Sequence, residues 1–299
     1  MQRSASKHSV DKIFVIVNPA ARGEKARSFV EKIRKLSRTA VLATTSAPGE
    51  ARTLAKQAAA DGFRVVVAAG GDGTVNDVVN GIAGTTATLG VLPIGTMNVY
   101  ATELGLPANN LRACWELILE GHTRTVDLPK ANGHYFVQLA GIGFDAQIVE
   151  ETSWDFKKTL GPLSYVISAT QIAARKPPLL KIEHDHGTTE GSFILIGNGR
   201  HYGGPFSIFK DAKIDDGLLD MLVFKNLGYL DIVRYLHGII FGTHTRLKDV
   251  TYFQTHKASV TSDERVPVEV DGEVIGQLPM KFRFSSRKLR VIAPKKATP

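Results

Sequence analysis

Residues 64–84, RVVVAAGGDGTVNDVVNGIAG, constrain the fold more than any other stretch of the chain. Val65, Val66 and Val67, followed by Ala68 and Ala69, form a continuous apolar run, the pattern of a strand buried on both faces of a parallel sheet. The run breaks at Gly70, Gly71 and Gly73, which bracket Asp72. Glycines there give the backbone access to positive φ and let a ligand approach the main chain. Val75, Val78, Val79 and Ile82 then recur at helical spacing, with Thr74 or Asp72 as the expected cap and Gly81 and Gly84 as stops. A glycine turn feeding a helix N-terminus presents free N–H groups and the positive end of the helix dipole, so the stretch predicts a phosphate site.

Taken alone, the same residues equally suit a tight turn with no ligand. Asp72 shifts the balance, because a carboxylate beside phosphates is where a hard cation such as Mg²⁺ bridges them. Two better-known fingerprints are excluded: no Gly-Lys-Ser/Thr follows, and Asn76 stands where the third glycine of G-x-G-x-x-G would fall.

Upstream, residues 12–17 read as a buried first strand ending in the loop Asn18-Pro19-Ala20-Ala21-Arg22-Gly23. Helical spacing follows at Ala26, Phe29, Val30, Ile33 and Leu36, then a strand over 40–44, then a helix marked by Ala51, Leu54, Ala55, Ala58 and Ala59. Downstream, 88–92 form a strand, Pro93-Ile94-Gly95-Thr96 a second tight loop, and 97–104 a short helix. This alternation indicates a parallel sheet covered on both faces, with Asn18, Thr45, Asp72 and Thr96 at its ligand-binding edge.

After a helix over 109–120, strand-like runs dominate: 125–128, 135–139, 179–182, 192–196, 218–224, 266–270, 281–284 and 289–292, interrupted by helices at 163–174 and 230–241. The 299 residues therefore divide into an α/β domain over 10–126 and a mainly antiparallel β-rich domain over 127–285, with 286–299 as candidates to return to the first.

The single cysteine, Cys114, excludes an internal disulfide framework and fits a reducing compartment. It shares a helix face with Leu111, Trp115, Ile118 and Leu119, the setting of a packed core thiol. The polar start and the short apolar run 13–17 do not make a signal-peptide core, and no run reaches membrane-spanning length. A net charge of +8 argues for an anionic partner or simply for solubility. No paired Cys/His zinc spacing or RNP-type aromatic motif is present, so nucleic acid is not an expected partner.

In the second half, Lys210-Asp211-Ala212-Lys213-Ile214-Asp215-Asp216-Gly217-Leu218 suits a Mg²⁺ or Ca²⁺ loop completed by backbone carbonyls, or a turn alone. Asp271-Gly272-Glu273 reads as a hairpin turn, in which Glu273 has the chemistry to accept a proton from an attacking hydroxyl. His184-Asp185-His186, with Gly187 next, reads as a solvated hairpin turn rather than a metal site. Asn198 to Gly204 is a long glycine-rich loop with no assigned role.

In order and rough spacing, Val17-Asn18-Pro19, Gly70-Gly71-Asp72-Gly73-Thr74 with Asn76, Leu92-Pro93-Ile94-Gly95-Thr96-Met97-Asn98, Asp216-Gly217-Leu218-Leu219-Asp220 and Asp271-Gly272-Glu273 resemble the diacylglycerol kinase catalytic-domain family. The likeness is to its bacterial-type soluble lipid kinases, and the family also includes sphingosine and ceramide kinases. GGDGT alone is shared with NAD kinases and, loosely, phosphofructokinases; the DGLLD and DGE motifs favour the lipid branch. The resemblance implies an α/β domain of the NAD kinase and phosphofructokinase type, with a parallel sheet, followed by a mainly antiparallel β-sandwich. It further implies ATP-dependent phosphoryl transfer to a lipid hydroxyl of diacylglycerol type. Nucleotide contacts would come from Asn18, Pro19, Thr45, Gly70, Gly71, Asp72, Gly73, Thr74, Asn76 and Thr96. Asp72 would serve the catalytic Mg²⁺ and the phosphates, and Glu273 would be the general base. Asp216, with the carbonyls of Lys213 and Leu218, would form a structural Mg²⁺ site. The implied partners are ATP and a lipid at the membrane surface, met from the cytoplasm by peripheral association with the inner face; oligomeric state is open, a homodimer included.

One position departs from the family pattern. The family's Gly-Thr-x-Asn is usually followed by aspartate, and here Val99 follows Asn98. That leaves two other readings, NAD kinase-like phosphorylation of a nucleotide and a catalytically weak nucleotide- or lipid-binding regulator.

Overall fold

The computed structural model describes residues 13–20, 26–144, 146–147, 177–203 and 206–295. They form two compact units, one running to Val126 and resuming at Arg287, the other Asp127–Ser286. The helix expected over 163–174 lies outside the described residues.

The first unit alternates strand and helix: β1 (Ile13–Val17), α1 (Ala26–Leu36), β2 (Val41–Thr44), α2 (Glu50–Ala60), β3 (Val65–Gly70), α3 (Asp72–Ile82), β4 (Thr88–Pro93), α4 (Val99–Glu103), α5 (Leu111–Glu120) and β5 (Thr123–Val126). The sheet order is β2-β1-β3-β4, then the C-terminal strand Leu289–Ile292, then β5. All neighbours are parallel except β5, which closes the edge antiparallel to the C-terminal strand. Layers of helix leave β3 and β4 almost wholly buried, which is why their sequences are apolar without alternation.

Three expectations change within this unit. Gly81 does not stop α3 but lies inside it, where a Cβ would stand 2.5 Å from the Arg52 carbonyl oxygen and 2.6 Å from Ala55 Cβ. The missing side chain lets α2 and α3 pack together. The helix expected over 97–104 shortens to α4, because Asn98 takes the left-handed conformation (φ 48°, ψ 48°) and its Nδ2 donates to Gly95 O at 2.8 Å. On α5, Cys114, Trp115 and Ile118 are buried as the periodicity requires, whereas Leu119 is exposed.

The second unit begins with β6 (Pro129–Ala131), β7 (His134–Tyr135), β8 (Leu139–Ile142), β9 (Leu180–His184), β10 (Gly187–Gly191), β11 (Phe193–Gly197), β12 (His201–Tyr202), β13 (Phe206–Ser207) and β14 (Leu219–Phe224). Helix α6 (Tyr229–Ile240) follows, then a 3-10 turn (His244–Arg246) and strands β15 (Val250–Thr255), β16 (Lys257–Thr261), β17 (Pro267–Val270), β18 (Glu273–Gln277) and β19 (Met280–Phe284). One sheet has the order β10-β9-β16-β19-β6-β7 and the other β15-β14-β11-β8-β17-β18, with antiparallel pairing throughout. Leu180, Ile182, Val260, Met280 and Phe282 of the first meet Ile194, Ile196, Met221, Val223 and Val268 of the second in one core, which makes the unit a β-sandwich. A second core covers the outer face of the β14-β11 region, where Ile232 and Tyr235 of α6 pack over Phe193, Leu195, Leu222 and Phe224.

The single strand expected over 135–139 is two strands with a bend between them. The Asp271 carboxylate accepts the N–H groups of Val137 (2.8 Å), Gln138 (3.0 Å) and Leu139 (3.0 Å), so those amides turn toward a side chain rather than into a ladder. His184, Asp185 and His186 form the turn of the β9–β10 hairpin, with Asp185 accepting from the His256 N–H at 2.8 Å. Among the described residues, no group of three or more His, Cys, Asp and Glu side chains is arranged to hold a metal, and no helix is long and apolar enough to cross a membrane.

Candidate active site

In the first unit, four parallel strands end side by side: Val17 lies in register with Thr44 and Ala69, and Gly70 with Pro93. Asn18, Thr45, Gly71 and Ile94 each follow their strand directly, so they stand along one edge, where open α/β sheets bind ligands. The backbone ladder runs one step into these loops. Asn18 N–H donates to Ala69 O (3.0 Å), Thr45 N–H to Val17 O (2.9 Å) and Ile94 N–H to Gly70 O (2.9 Å).

The side chains then tie the loops together. Asn18 Nδ2 donates to Thr74 Oγ1 at 3.0 Å, while Asn18 Oδ1 accepts the Ala20 N–H at 3.0 Å. Asp72 Oδ1 accepts the Tyr100 N–H at 3.1 Å and so caps the start of α4 from the neighbouring loop. Neither Thr74 nor Asp72 is therefore the side-chain cap of α3. The N-cap is Gly71, extended at φ −90° and ψ −171°, with no side-chain bond. Asn76 is 2% exposed on α3, its Oδ1 accepting from Asn80 Nδ2 at 2.9 Å. Pro19 and Thr45 are half-buried and Thr96 is exposed.

None of Gly70, Gly71 and Gly73 has a positive φ, contrary to the conformational reason the sequence suggests for them. Space explains two of the three. A Cβ on Gly70 would lie 2.3 Å from Thr74 Oγ1 and one on Gly71 3.3 Å from Gly95 Cα, while a Cβ on Gly95 would lie 2.6 Å from Gly71 Cα, so the two loops cross backbone against backbone. Gly73 is different: a Cβ there would meet nothing within 4 Å. It is exposed at the first turn of α3, and the protein itself supplies no steric reason for a glycine. Asn98 adds an acceptor, since its Oδ1 is buried and takes no hydrogen bond from a described residue. Exposed helix-start N–H groups, a glycine with free space beside it and a buried acceptor make a donor and acceptor set that fits a nucleotide phosphate and its sugar or base.

In the second unit, Asp271 (φ 48°) and Gly272 (φ 86°) make the turn between β17 and β18, both in the left-handed region that a two-residue hairpin requires. Gly272 N–H donates to Glu269 Oε2 at 2.7 Å, and the Asp271 carboxylate is held by the three amides of 137–139. The turn is thus fixed from two sides, and Glu273, first residue of β18, projects from it exposed.

The loop before β14 carries the other carboxylates. Asp216 is exposed, its Oδ1 accepting the Leu218 N–H at 3.0 Å, and Gly217 N–H donates to Asp127 Oδ2 at 2.7 Å. Asp220, wholly buried on β14, accepts from the Tyr252 hydroxyl and from Gln254 Nε2 (3.1 Å) through Oδ1. Its Oδ2 is buried without a hydrogen-bond partner among the described residues. Burial pushes this carboxyl up to about 6 against the two hydrogen bonds, and repulsion from Asp216 and Asp211 adds to the rise. These carboxylates are not grouped around one point, so a cation at this loop would rest on the exposed Asp216 with backbone carbonyls completing its ligands.

The comparisons with known proteins bear on both units. Residues 12–131 match the family model described as the diacylglycerol kinase catalytic domain, and residues 139–293 match the model of the YegS C-terminal NAD kinase beta sandwich-like domain. The diacylglycerol kinase of Bacillus subtilis (strain 168) is 31% identical over 262 residues, covering 86% of each chain, and that of Staphylococcus carnosus (strain TM300) is 31% identical over 94% of each. The chain belongs to the diacylglycerol kinase catalytic-domain family. A solved structure of a diacylglycerol kinase from Bacillus anthracis str. Sterne is similar at TM-score 0.77 and 26% identity, covering 95% of this chain and 98% of that one. The α/β unit followed by an antiparallel sandwich is the architecture that the family resemblance implies.

Two buried residues near these loops are not among the site residues that the sequence suggests. Asp127 is 3% exposed and holds the loop at Gly217, but it stands in no motif. Asp220 closes the DGLLD motif, yet its burial is visible only once β14 is seen between β15 and β11.

Proposed function

We propose that this chain transfers the γ-phosphoryl group of ATP to the hydroxyl of a diacylglycerol-type lipid, working from the cytoplasm by peripheral association with the inner face of the membrane. The observation that carries the reading is the loop pair Gly70–Gly73 and Gly95–Asn98 at adjacent strand ends, packed at Gly71 and Gly95 with no room for a side chain on Gly95, in a chain of the diacylglycerol kinase family. In this reading the first unit binds nucleotide and the second binds lipid.

Asn18, Pro19, Thr45, Thr96 and the loop of Gly70, Gly71, Asp72, Gly73 and Thr74 would line the nucleotide, with Asn76 supporting them from within α3. Their work is positioning: phosphoryl transfer asks mainly for in-line placement and neutralised charge. Glu273 accepts the proton of the lipid hydroxyl as that oxygen bonds to the γ-phosphorus and the bond to the departing ADP breaks. Asp72 would hold a Mg²⁺ ion beside the phosphates, and Asp216, with the carbonyls of Lys213 and Leu218, would hold another in the second unit. Such an ion, when bound, neutralises negative charge on phosphate oxygens or carboxylates.

The test is a substrate panel in mixed micelles with ATP and Mg²⁺: diacylglycerol, monoacylglycerol, a sphingoid base, phosphatidylglycerol and, separately, NAD⁺. Labelled phosphate is expected in the diacylglycerol product. Label in NAD⁺ and in none of the lipids would replace this reading with a nucleotide kinase.

A further inference from the structure

Helix α6 shows its core only one of its faces. Ile232, Tyr235 and Gly238 are buried against the outer sheet, but Tyr229 (58% exposed), Leu230 (79%), Val233 (48%), Leu236 (53%), Ile240 (62%) and Phe241 (66%) are open. At 100° per residue those six positions fall within about 140° of the helix circumference, a single face that also carries the exposed His237, whose ring lies 4.5 Å from that of Phe241. They expose on the order of 600 Å² of apolar surface, at the upper end of the largest patch a monomer normally shows. Phe206, 45% exposed on β13, adds to it from the strand that packs beside α6.

The charges around this face are net positive among the described residues. Arg234 binds both nearby carboxylates, with Nη2 2.7 Å from Asp231 Oδ1 and Nη1 2.7 Å from Asp249 Oδ1, and Asp249 also accepts from Tyr235 and Asn226. That leaves Lys225 before the helix, and Arg246 and Lys248 after it, exposed without an ion-pair partner among the described residues. The Lys225 N–H bonds Asp249 O at 3.0 Å, which brings the two basic segments together, and the 3-10 turn bearing Arg246 packs against α6. Lys210 reaches the end of the helix by donating to Gly242 O.

An apolar helix face with an aromatic at each end and lysine and arginine beside it is the form of an element that lies in a bilayer interface. We infer that α6 is the membrane-docking surface of the chain, its apolar face set among the acyl chains and its basic border on anionic headgroups. The inference rests on the lipid kinase reading, because an enzyme whose acceptor resides in a bilayer must meet that bilayer. A second copy fits less well. Two convex helices touch along a line and cover roughly half of each face, about 600 Å² in total, against the roughly 1,200 Å² that a stable dimer buries. A bilayer covers the whole face.

The full chain is tested in two ways. In co-sedimentation with vesicles of phosphatidylcholine alone or with a quarter phosphatidylglycerol, the Leu230→Glu/Ile240→Glu variant is expected to bind the anionic vesicles at least tenfold more weakly than the parent. Its turnover on a short-chain diacylglycerol dispersed as monomers should be unchanged. Independently, Leu230→Cys labelled with an environment-sensitive fluorophore should shift to the blue on adding anionic vesicles, and the same label at Glu190→Cys should not. Unchanged vesicle affinity in the double variant, or no shift at position 230, overturns the proposal. A parent that is a dimer, broken by the double variant with vesicle binding intact, overturns it in favour of a second copy. Loss of all kinase activity in the parent with the vesicle results as expected would instead reject the lipid kinase reading and leave the docking surface standing.

Discussion

Gly73 and Gly95 are both loop glycines, and they separate two reasons for a missing side chain. Gly95 has no room, with Gly71 Cα 2.6 Å from where its Cβ would be, whereas Gly73 has space and an ordinary φ. Gly95→Ala is therefore expected to cost about 2 kcal/mol of unfolding free energy, the range of overpacking against backbone that cannot rotate aside. Gly73→Ala should leave stability equal or raise it by up to about 1 kcal/mol through helix propensity, while raising KM for ATP severalfold. Urea titration beside steady-state kinetics reads both. Asp72 and Glu273 are tested by isosteres. Asp72→Asn keeps an oxygen for the Tyr100 N–H, and Glu273→Gln alters an exposed position, so each should move stability by no more than about 0.5 kcal/mol. Turnover should fall on the order of 100-fold or more in each. An equal fall in stability and activity would make either residue structural. Cys114 is the opposite case: its thiol donates to Pro107 O at 3.4 Å and burial pushes it up to about 11, so it stays protonated and packed, as its helix face predicts.

At the scale of elements, α6 is attached to the sandwich by a polar clamp as well as by its buried side chains. The Arg234 guanidinium, then the Tyr235 hydroxyl (2.6 Å) and Asn226, hold the Asp249 carboxyl well below the usual carboxylate range, against a smaller effect of burial. Because the folded value is depressed, the unfolded chain binds the proton first on acidification. The clamp's contribution is complete above about pH 4, the ordinary carboxyl range, and is lost as pH falls below it. Asp249→Asn should cost about 1 kcal/mol at pH 7, in keeping with a partly exposed pair, and the difference from the parent should shrink as urea titrations are taken down toward pH 3. The clamp joins residues far enough apart in sequence that no spacing announces it. The helix itself is plain from its periodicity, but the same periodicity does not say that one apolar face is left open, since core-facing and open apolar positions look alike in a string of letters.

Across the whole molecule, the C-terminal strand Leu289–Ile292 lies between β4 and β5 and is the link that joins the antiparallel edge to the parallel sheet. A chain ending at Ser286 keeps all the candidate nucleotide residues but leaves β5 unpaired and the far edge of β4 open. It should lose the first unit's fold, seen as rapid proteolysis up to Val126 with protection retained in Asp127–Ser286. Equal protease resistance in both units would contradict this placement. The alternation in 289–292 says strand, yet nothing in four residues states which sheet they complete, because the partner strands lie some 165 to 200 residues earlier. The same division holds at the site. Unbroken apolar runs, glycine-punctuated turns and helical spacing determined by themselves that strands alternate with helices, that a strand-rich half follows, and that a glycine-rich turn leads from strand into helix at Gly70–Thr74, since each depends on residues within a few positions of one another. Tertiary structure alone decided that Gly70 and Gly95 serve close packing rather than positive φ, that Asp72 caps α4 and Asp271 bends 137–139, and that α6 keeps an apolar face open. Those facts depend on which distant backbone atoms come within 3 Å, and local pattern does not carry that.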